Sequence, residues 1–288
     1  MAKKEGDPSA EVGTTGHEWD GIEELNKPLP KWWLYTFYAT IIWAIGYWIV
    51  YPAWPLVSDY TRGYFGYSQR EVVAENLVQA QAQKAAYRDK IAASDLETIQ
   101  SDPELLNFAL AGGAAAFGDN CAPCHGRGAQ GFVGYPNLRD DAWLWGGSLD
   151  AIHQTMQHGI RADDSKTRNS QMPAFGKLGM LKPDQVSDVS EYVLSLSGNE
   201  GDEAAAARGK QIFAVNCAAC QGPEGKGNQA LGAPNLADEL WLYGGDKAAV
   251  VETVFNSRSG MMPAWSGRLD PATIKELAIY VHSLGGGQ

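Results

Sequence analysis

The residues best suited to chemistry are two Cys-x-x-Cys pairs, which hold all four cysteines of the chain: Cys121, Cys124, Cys217 and Cys220. His125 directly follows the first pair, in the segment DNCAPCHGRGAQG, and Gln221 follows the second, in VNCAACQGPEGKGN. The thiols of such a pair lie about one helical turn apart, so both can form thioethers with one edge of a porphyrin. A histidine next to them can ligate its iron. The first pair therefore predicts a covalently bound haem c with His125 as an axial ligand.

Other uses of paired cysteines fit the chain less well. A disulfide scaffold would scatter its cysteines, and a chain of 288 residues does not need one. A thioredoxin-like redox motif would lie in a βαβ pattern, and no alternation of strands surrounds either pair. A zinc site built from both pairs would have to bridge about ninety residues of sequence, far beyond ordinary ribbon spacing. Haem attachment remains the main interpretation.

A methionine followed by proline lies downstream of each cysteine pair. Met172 precedes Pro173 in a Gly-, Pro- and Ser-rich loop, and Met262, rather than Met261, is its equivalent in the second half of the chain. We expect Met172 to supply the second axial ligand of the haem that His125 binds, and Met262 to serve the second haem. A Met/His pair raises the reduction potential and leaves no open position for substrate. Filling a hydrophobic core is the alternative role for either methionine.

The two halves repeat each other over residues 109–198 and 204–288. YPNLRDDAWLWGG matches APNLADELWLYGG, and each half closes with an amphipathic segment that contains Tyr192 or Tyr280. The pattern predicts a duplicated domain of about ninety residues and, with haem, a mostly α fold of two tandem cytochrome c domains. The Pro-Asn-Leu triplets are expected to turn the chain over the haem edge. Their aromatic neighbours could pack on the macrocycle or in the core: Trp143, Trp145, Trp241 and Tyr243.

Three further segments precede the repeats. Residues 1–31 are polar and acidic and are expected to form a mostly irregular tail. Residues 32–57 carry no charge and include about twenty apolar residues, which at ~1.5 Å rise cross ~30 Å of bilayer. Pro52 and Pro55 then stop the helix, and the preceding tail argues against a cleaved signal peptide. Residues 58–108 have the composition of a helical spacer. A capping-box pattern within it, Ser94-Asp95-Leu96-Glu97, marks the start of a second helix.

The net charge of −11 excludes a nucleic acid partner, whose phosphates require a basic face. An acidic surface suits a basic protein partner, because complementary charge speeds encounter. Solubility alone would also account for this charge.

The whole layout resembles the CcoP/FixP family, the dihaem subunits of cbb3-type cytochrome c oxidases. The most specific part is WDGIEELNKPLPKWWLYTFYATIIWAIGYWIVYPAWP, and the ending YVHSLGGGQ is also similar. The resemblance implies two covalently bound haem c groups, both with His/Met ligation, in a subunit that transfers electrons and is not an enzyme on its own. It implies electron flow from a donor cytochrome c or cytochrome bc1, through these haems and a monohaem cytochrome c subunit, to the haem–copper catalytic subunit. It also implies a single-pass protein of the bacterial inner membrane with a cytoplasmic N-terminus and periplasmic haem domains.

Gln221 departs from the family, which has histidine at this position. Haem could still attach with an altered proximal side, attachment could fail, or the residue could reflect a sequencing or engineering difference. Because the other landmarks of the second repeat are kept, we expect haem there. Two other functions stay open from the residues alone. One is an autonomous membrane-anchored dihaem cytochrome or the cytochrome subunit of a periplasmic dehydrogenase. The other is a dihaem peroxidase or a ligand sensor.

Overall fold

The computed structural model describes residues 12–199 and 201–285, and the chain divides into two compact units, Met1–Gln81 and Ala82–Gln288. Helices dominate the described residues, which confirms the mostly α fold predicted from the sequence. In chain order the elements are β1 (Thr14–Trp19), β2 (Ile22–Leu25), α1 (Lys31–Val50), α2 (Gln69–Ala93), α3 (Leu96–Ser101), α4 (Pro103–Asn120), α5 (Ala122–His125), α6 (Leu149–His158), α7 (Pro183–Leu196), α8 (Glu203–Asn216), α9 (Ala218–Gln221), α10 (Lys247–Asn256) and α11 (Pro271–His282).

The described part of the N-terminal tail is a β-hairpin, where the sequence analysis expected irregular chain. β1 and β2 pair antiparallel, and Asp20 and Gly21 turn between them with φ of 50° and 84°. Positive φ at both central residues is what a two-residue hairpin turn needs, and Asp-Gly is among the pairs that best provide it. The turn chemistry of Asp-Gly therefore outweighed the polar composition. Residues 1–11 of the expected tail lie outside the described residues.

α1 is the one candidate membrane span among the described residues. An 18-residue stretch of this 20-residue helix has a mean hydropathy of 1.3, and none of its residues is buried within the protein. At 1.5 Å rise per residue it is about 30 Å long, the thickness of a bilayer core. Tyr51 adopts an extended conformation directly before Pro52, so only the last seven residues of the predicted 32–57 segment, residues 51–57, are not helical. The helix ends where proline removes the next backbone donor.

The predicted spacer ends in two caps. Asp95, not Ser94, caps α3 by accepting a hydrogen bond from the Thr98 amide (2.7 Å). Asp102 caps α4 and Pro103 takes its first position, so α4 begins inside the segment 58–108. A proline at the first helical position costs nothing because its amide would have no intrahelical partner. The boundary drawn at residue 108 therefore cuts a helix that belongs to the first repeat.

Two hydrophobic cores occupy the second unit, and each combines parts of both repeats. Core A packs α4 against α3 and α11, and α11 also contacts α6. Core B packs α7 against α8 and α10. Because α11 closes the second repeat and α7 closes the first, the repeats have exchanged their closing helices. The predicted domains 109–198 and 204–288 therefore do not each close on themselves.

Core A shows how the exchanged helices are held. A Cβ added to Gly113 on α4 would collide with the carbonyl oxygen of Glu276 on α11, so only glycine permits this close crossing. One turn further along, Phe117 packs on Tyr280 with ring centroids 5.5 Å apart. Aromatic pairs at this distance add about 0.5–1.5 kcal/mol beyond the area they bury.

Core B contains the equivalent crossing, here between the first helix of the second repeat and the closing helix of the first repeat. Gly209 on α8 faces the carbonyl oxygen of Asp188 on α7, and Phe213 packs edge-on against Tyr192 at 5.2 Å. α7 ends at Leu196 and α8 begins at Glu203, so a short connection joins the two helices of this crossing. Consecutive elements with short connections usually pack together, which accounts for the pairing of α7 with α8 rather than with α4.

Candidate haem-binding sites

The first Cys-x-x-Cys-His segment forms a short helical turn at the end of α4. The amide of His125 donates to the carbonyl of Cys121 over 2.9 Å, which places the thiols and the imidazole on consecutive turns. The half-buried His125 ring directs Nδ1 to the Pro136 carbonyl at 3.0 Å. That bond leaves Nε2 for a metal and fixes the ring orientation, as outer-shell partners of ligating histidines do. Burial lowers the pKa of His125, against a smaller opposite effect of the Pro136 hydrogen bond, and so favours the neutral imidazole.

The methionines lie in the opposite cores from those that the sequence analysis expected. Met262, from the second repeat, packs in core A together with Cys121. Met172, from the first repeat, packs in core B together with Cys217. The expected pairing of His125 with Met172 is therefore not the one that the fold brings together, because each methionine follows its own closing helix into the other core. Met261 is 70% exposed and belongs to neither core.

The second segment copies the backbone of the first. The amide of Gln221 donates to the carbonyl of Cys217 over 3.0 Å, and the glycine that follows each motif has nearly the same conformation. Gly126 has φ 80° and ψ 153°, and Gly222 has φ 76° and ψ 156°. The difference lies in the side chain, since the Gln221 Oε1 is buried and has no hydrogen-bond partner in the described residues. A buried acceptor without a partner costs about 1–3 kcal/mol.

Comparison with known proteins places the chain in a family. Sequence models match residues 11–58 as the N-terminal domain of cytochrome oxidase-cbb3, FixP, residues 110–197 as cytochrome c, and residues 204–281 as cytochrome C oxidase, cbb3-type, subunit III. The cbb3-type cytochrome c oxidase subunit FixP of Azorhizobium caulinodans is 58% identical over 96% of this chain and 94% of its own length.

The subunit CcoP of Azospirillum sp. (strain B510) is 54% identical over the full length of both chains. The chain belongs to the CcoP/FixP family. The resemblance stated from the residues is thereby confirmed. The subunit CcoP of Cereibacter sphaeroides is also similar, at 52% identity over 99% of this chain and 98% of its own length.

The donor set of this CcoP/FixP chain fits haem c at the first motif. Two thiols, an imidazole held with Nε2 available, and a thioether in the same core are the donors that such a group uses. At the second motif the thiols and thioether are kept, and the partnerless Gln221 oxygen is the remaining donor. Cys121 and Cys217 are half-buried, and burial raises the pKa of each to about 11, whereas Cys124 and Cys220 are exposed.

The aromatic residues whose role was left open divide between two places. Trp143 packs in core A and Trp241 in core B. The other two reach across the repeats, where Trp145 contacts Gly232 and Tyr243 contacts Gly134. An arginine covers each of these rings, Arg168 over Trp145 at 5.4 Å and Arg258 over Tyr243 at 4.6 Å. Both arginines lie four residues before a candidate ligand methionine, so the same spacing recurs in the two repeats.

Proposed function

We propose that this chain transfers electrons through two covalently bound haem c groups within a cbb3-type cytochrome c oxidase. Membership of the CcoP/FixP family makes it an electron-transfer subunit of that oxidase. The observation that carries the proposal is that the first cysteine of each pair shares a core with one methionine. We assign the first haem to Cys121, Cys124, His125 and Met262, and the second to Cys217, Cys220, Met172 and Gln221.

The assignment makes the first site an electron carrier. Haem iron supplies one-electron transfer, and imidazole and thioether donors together raise its reduction potential. His125 and Met262 would both hold the iron through protein atoms, which would leave no place for substrate. This is the reason to regard the subunit as non-catalytic on its own. The Pro136 carbonyl positions the imidazole, and the half-buried Met262 packs against core A.

The second site has a weaker donor. An amide oxygen binds iron less strongly than an imidazole does, so Gln221 would yield to stronger external ligands. The backbone that presents the cysteines is the same as in the first motif, which supports attachment of haem there. We propose that the second haem is attached, with Met172 as its principal protein ligand and Gln221 Oε1 as a weak one.

Methionine substitutions test the assignment against a matched control. We expect Met262→Leu to lower the midpoint potential of the first haem and Met172→Leu to lower that of the second, as measured by redox titration of the detergent-solubilised full chain. Met261→Leu, which changes an exposed neighbour, should leave both potentials unchanged. A pyridine haemochrome assay should give two haems per polypeptide. Unchanged potentials in both core variants would overturn the assignment.

The proposed function also specifies how the chain is oriented in the membrane and which proteins it contacts. We propose that α1 crosses the bilayer with the N-terminus in the cytoplasm and that the haem-binding unit lies in the periplasm, where haem c is attached. The partners are then the haem–copper catalytic subunit, the monohaem cytochrome c subunit, and a donor cytochrome c or cytochrome bc1. The net charge of −11 suits a basic donor. Gentle solubilisation should copurify the catalytic subunit, whereas a lone cytochrome would favour the autonomous carrier.

A further inference from the structure

The crossing point of the two repeats contains a side chain that the proposed function does not use. Residues 168–172 pass from core A to core B, and residues 258–262 pass from core B to core A. Each crossing segment then docks on the other repeat. The Phe175 amide donates to the Val254 carbonyl over 3.2 Å, and the Trp265 amide donates to the Met156 carbonyl over 3.0 Å.

Arg161 lies between these segments and bonds to both. Its Nε donates to the Gly260 carbonyl over 2.6 Å, and its Nη1 donates to the Ser170 carbonyl over 2.8 Å. Gly260 is two residues before Met262, and Ser170 is two residues before Met172. One guanidinium therefore holds both methionine loops. Its planar fork suits this task because it presents several donors in a fixed geometry.

The backbone next to Arg161 also contacts the loop that contains Met262. Ile160 forms a two-bond bridge with Met262, in which each amide donates to the other's carbonyl over 3.0 Å. Arg161 itself has a φ of 50°, a left-handed conformation that is strained for a residue with a side chain. Residues 160–167 have no counterpart in the second repeat, where Arg258 follows the end of α10 almost directly.

We infer that Arg161 is a positioning residue that holds the two candidate ligand methionines, Met172 and Met262, in their exchanged cores and so tunes both haems together. The inference rests on the proposed function, since it requires both methionines to be ligands. The direction follows from the ligand chemistry: a thioether raises the potential, so loosening both loops lowers both midpoints.

The experiment compares Arg161→Ala with Arg139→Ala in the haem-loaded full chain. Arg139 is exposed and serves as the matched control for loss of an arginine. Redox titration should show both midpoint potentials lowered by Arg161→Ala and neither changed by Arg139→Ala. Arg161→Lys keeps the charge without the planar fork and should restore part of the shift; it also serves as the test variant if Arg161→Ala does not fold.

The methionine variants separate the two possible failures. Met262→Leu and Met172→Leu identify which midpoint belongs to which core. If neither variant moves a midpoint, the proposed ligands are wrong. If each moves its own midpoint while both Arg161 variants move only one or none, the ligands stand and the role of Arg161 is overturned.

Discussion

The two Cys-x-x-Cys segments of this chain share a backbone and differ in the side chain that follows the second cysteine. His125 is held by the Pro136 carbonyl, whereas the Gln221 oxygen is buried without a hydrogen-bond partner in the described part of the chain. The glycines behind the two motifs differ by only 4° in φ, from 80° to 76°. The backbone turn that presents each cysteine pair is therefore independent of the side chain that follows the pair. Gln221 in place of histidine leaves the backbone that presents the cysteines unchanged.

Reciprocal substitution of these two residues should have the largest effect. His125→Gln should open the first haem to carbon monoxide and shift its midpoint on the order of 0.1 V or more, because axial ligands set haem potentials over ~0.8 V. Gln221→His should make the second haem low-spin and reduce its carbon monoxide binding. Redox titration and carbon monoxide difference spectra measure both. A Gln221→His variant with the parent's spectrum would show that residue 221 does not face the iron.

The helix crossing of core A can be broken without touching a candidate ligand. Gly113→Ala should destabilise the second unit by about 1–3 kcal/mol or more, because the added methyl group meets the Glu276 backbone rather than a movable side chain. Denaturant unfolding measures the loss. Gly118→Ala on the same helix is the control, since nothing lies within 4 Å of its added Cβ. That variant should gain about 0.5–1 kcal/mol from helix propensity. Equal changes in stability for Gly113→Ala and Gly118→Ala would contradict a close crossing of α4 and α11 at Gly113.

Glu276 and Asp188 occupy equivalent positions on the two closing helices, yet their environments differ. Glu276 is buried, and burial raises its pKa to about 7, with partial compensation from Arg88 at 3.9 Å. The folded chain therefore holds a proton that the unfolded chain releases between about pH 4.5 and 7. Stability falls as pH rises through this window. Glu276→Gln should gain about 1–3 kcal/mol at pH 8 and nothing at pH 4, as measured by urea unfolding.

The contribution of Asp188 to stability should depend on pH in the opposite direction from that of Glu276, and its substitution should have the smallest effect of those proposed. Two hydrogen bonds from Arg208, at 2.6 and 2.8 Å, lower the pKa of Asp188 below its usual 3.8. Its contribution is thus present above that pH and is lost as the solution becomes more acidic. Asp188→Asn should cost a small amount of stability at pH 7 and none at pH 2. The pair lies near the surface, so added salt should weaken the effect. A cost that salt leaves unchanged would contradict this interpretation.

The sequence predicted local structure correctly where one short motif determines that structure. The apolar run predicted α1, and the cysteine pairs predicted the two helical turns that carry them. The hairpin at Asp20 and Gly21 was missed because polar composition was weighed above turn chemistry, although Asp-Gly is a strong hairpin signal. The position of Pro136 was seen, but the role of its carbonyl was not, because a hydrogen bond across a loop leaves no trace in residue spacing.

Repeats, motifs and the membrane helix follow from the order of residues, since each depends on contacts within a few turns of the chain. The order of residues does not determine which methionine shares a core with which cysteine pair. The two repeats are similar, so each closing helix could cross either of two nearly equivalent helices. Gly113 with Phe117 and Gly209 with Phe213 present the same surface to Tyr192 or Tyr280. The choice between them depends on long-range geometry, namely the short path from α7 to α8 and the Arg161 contact where the loops cross. Folding in three dimensions therefore assigned Met262 to the first core and Met172 to the second.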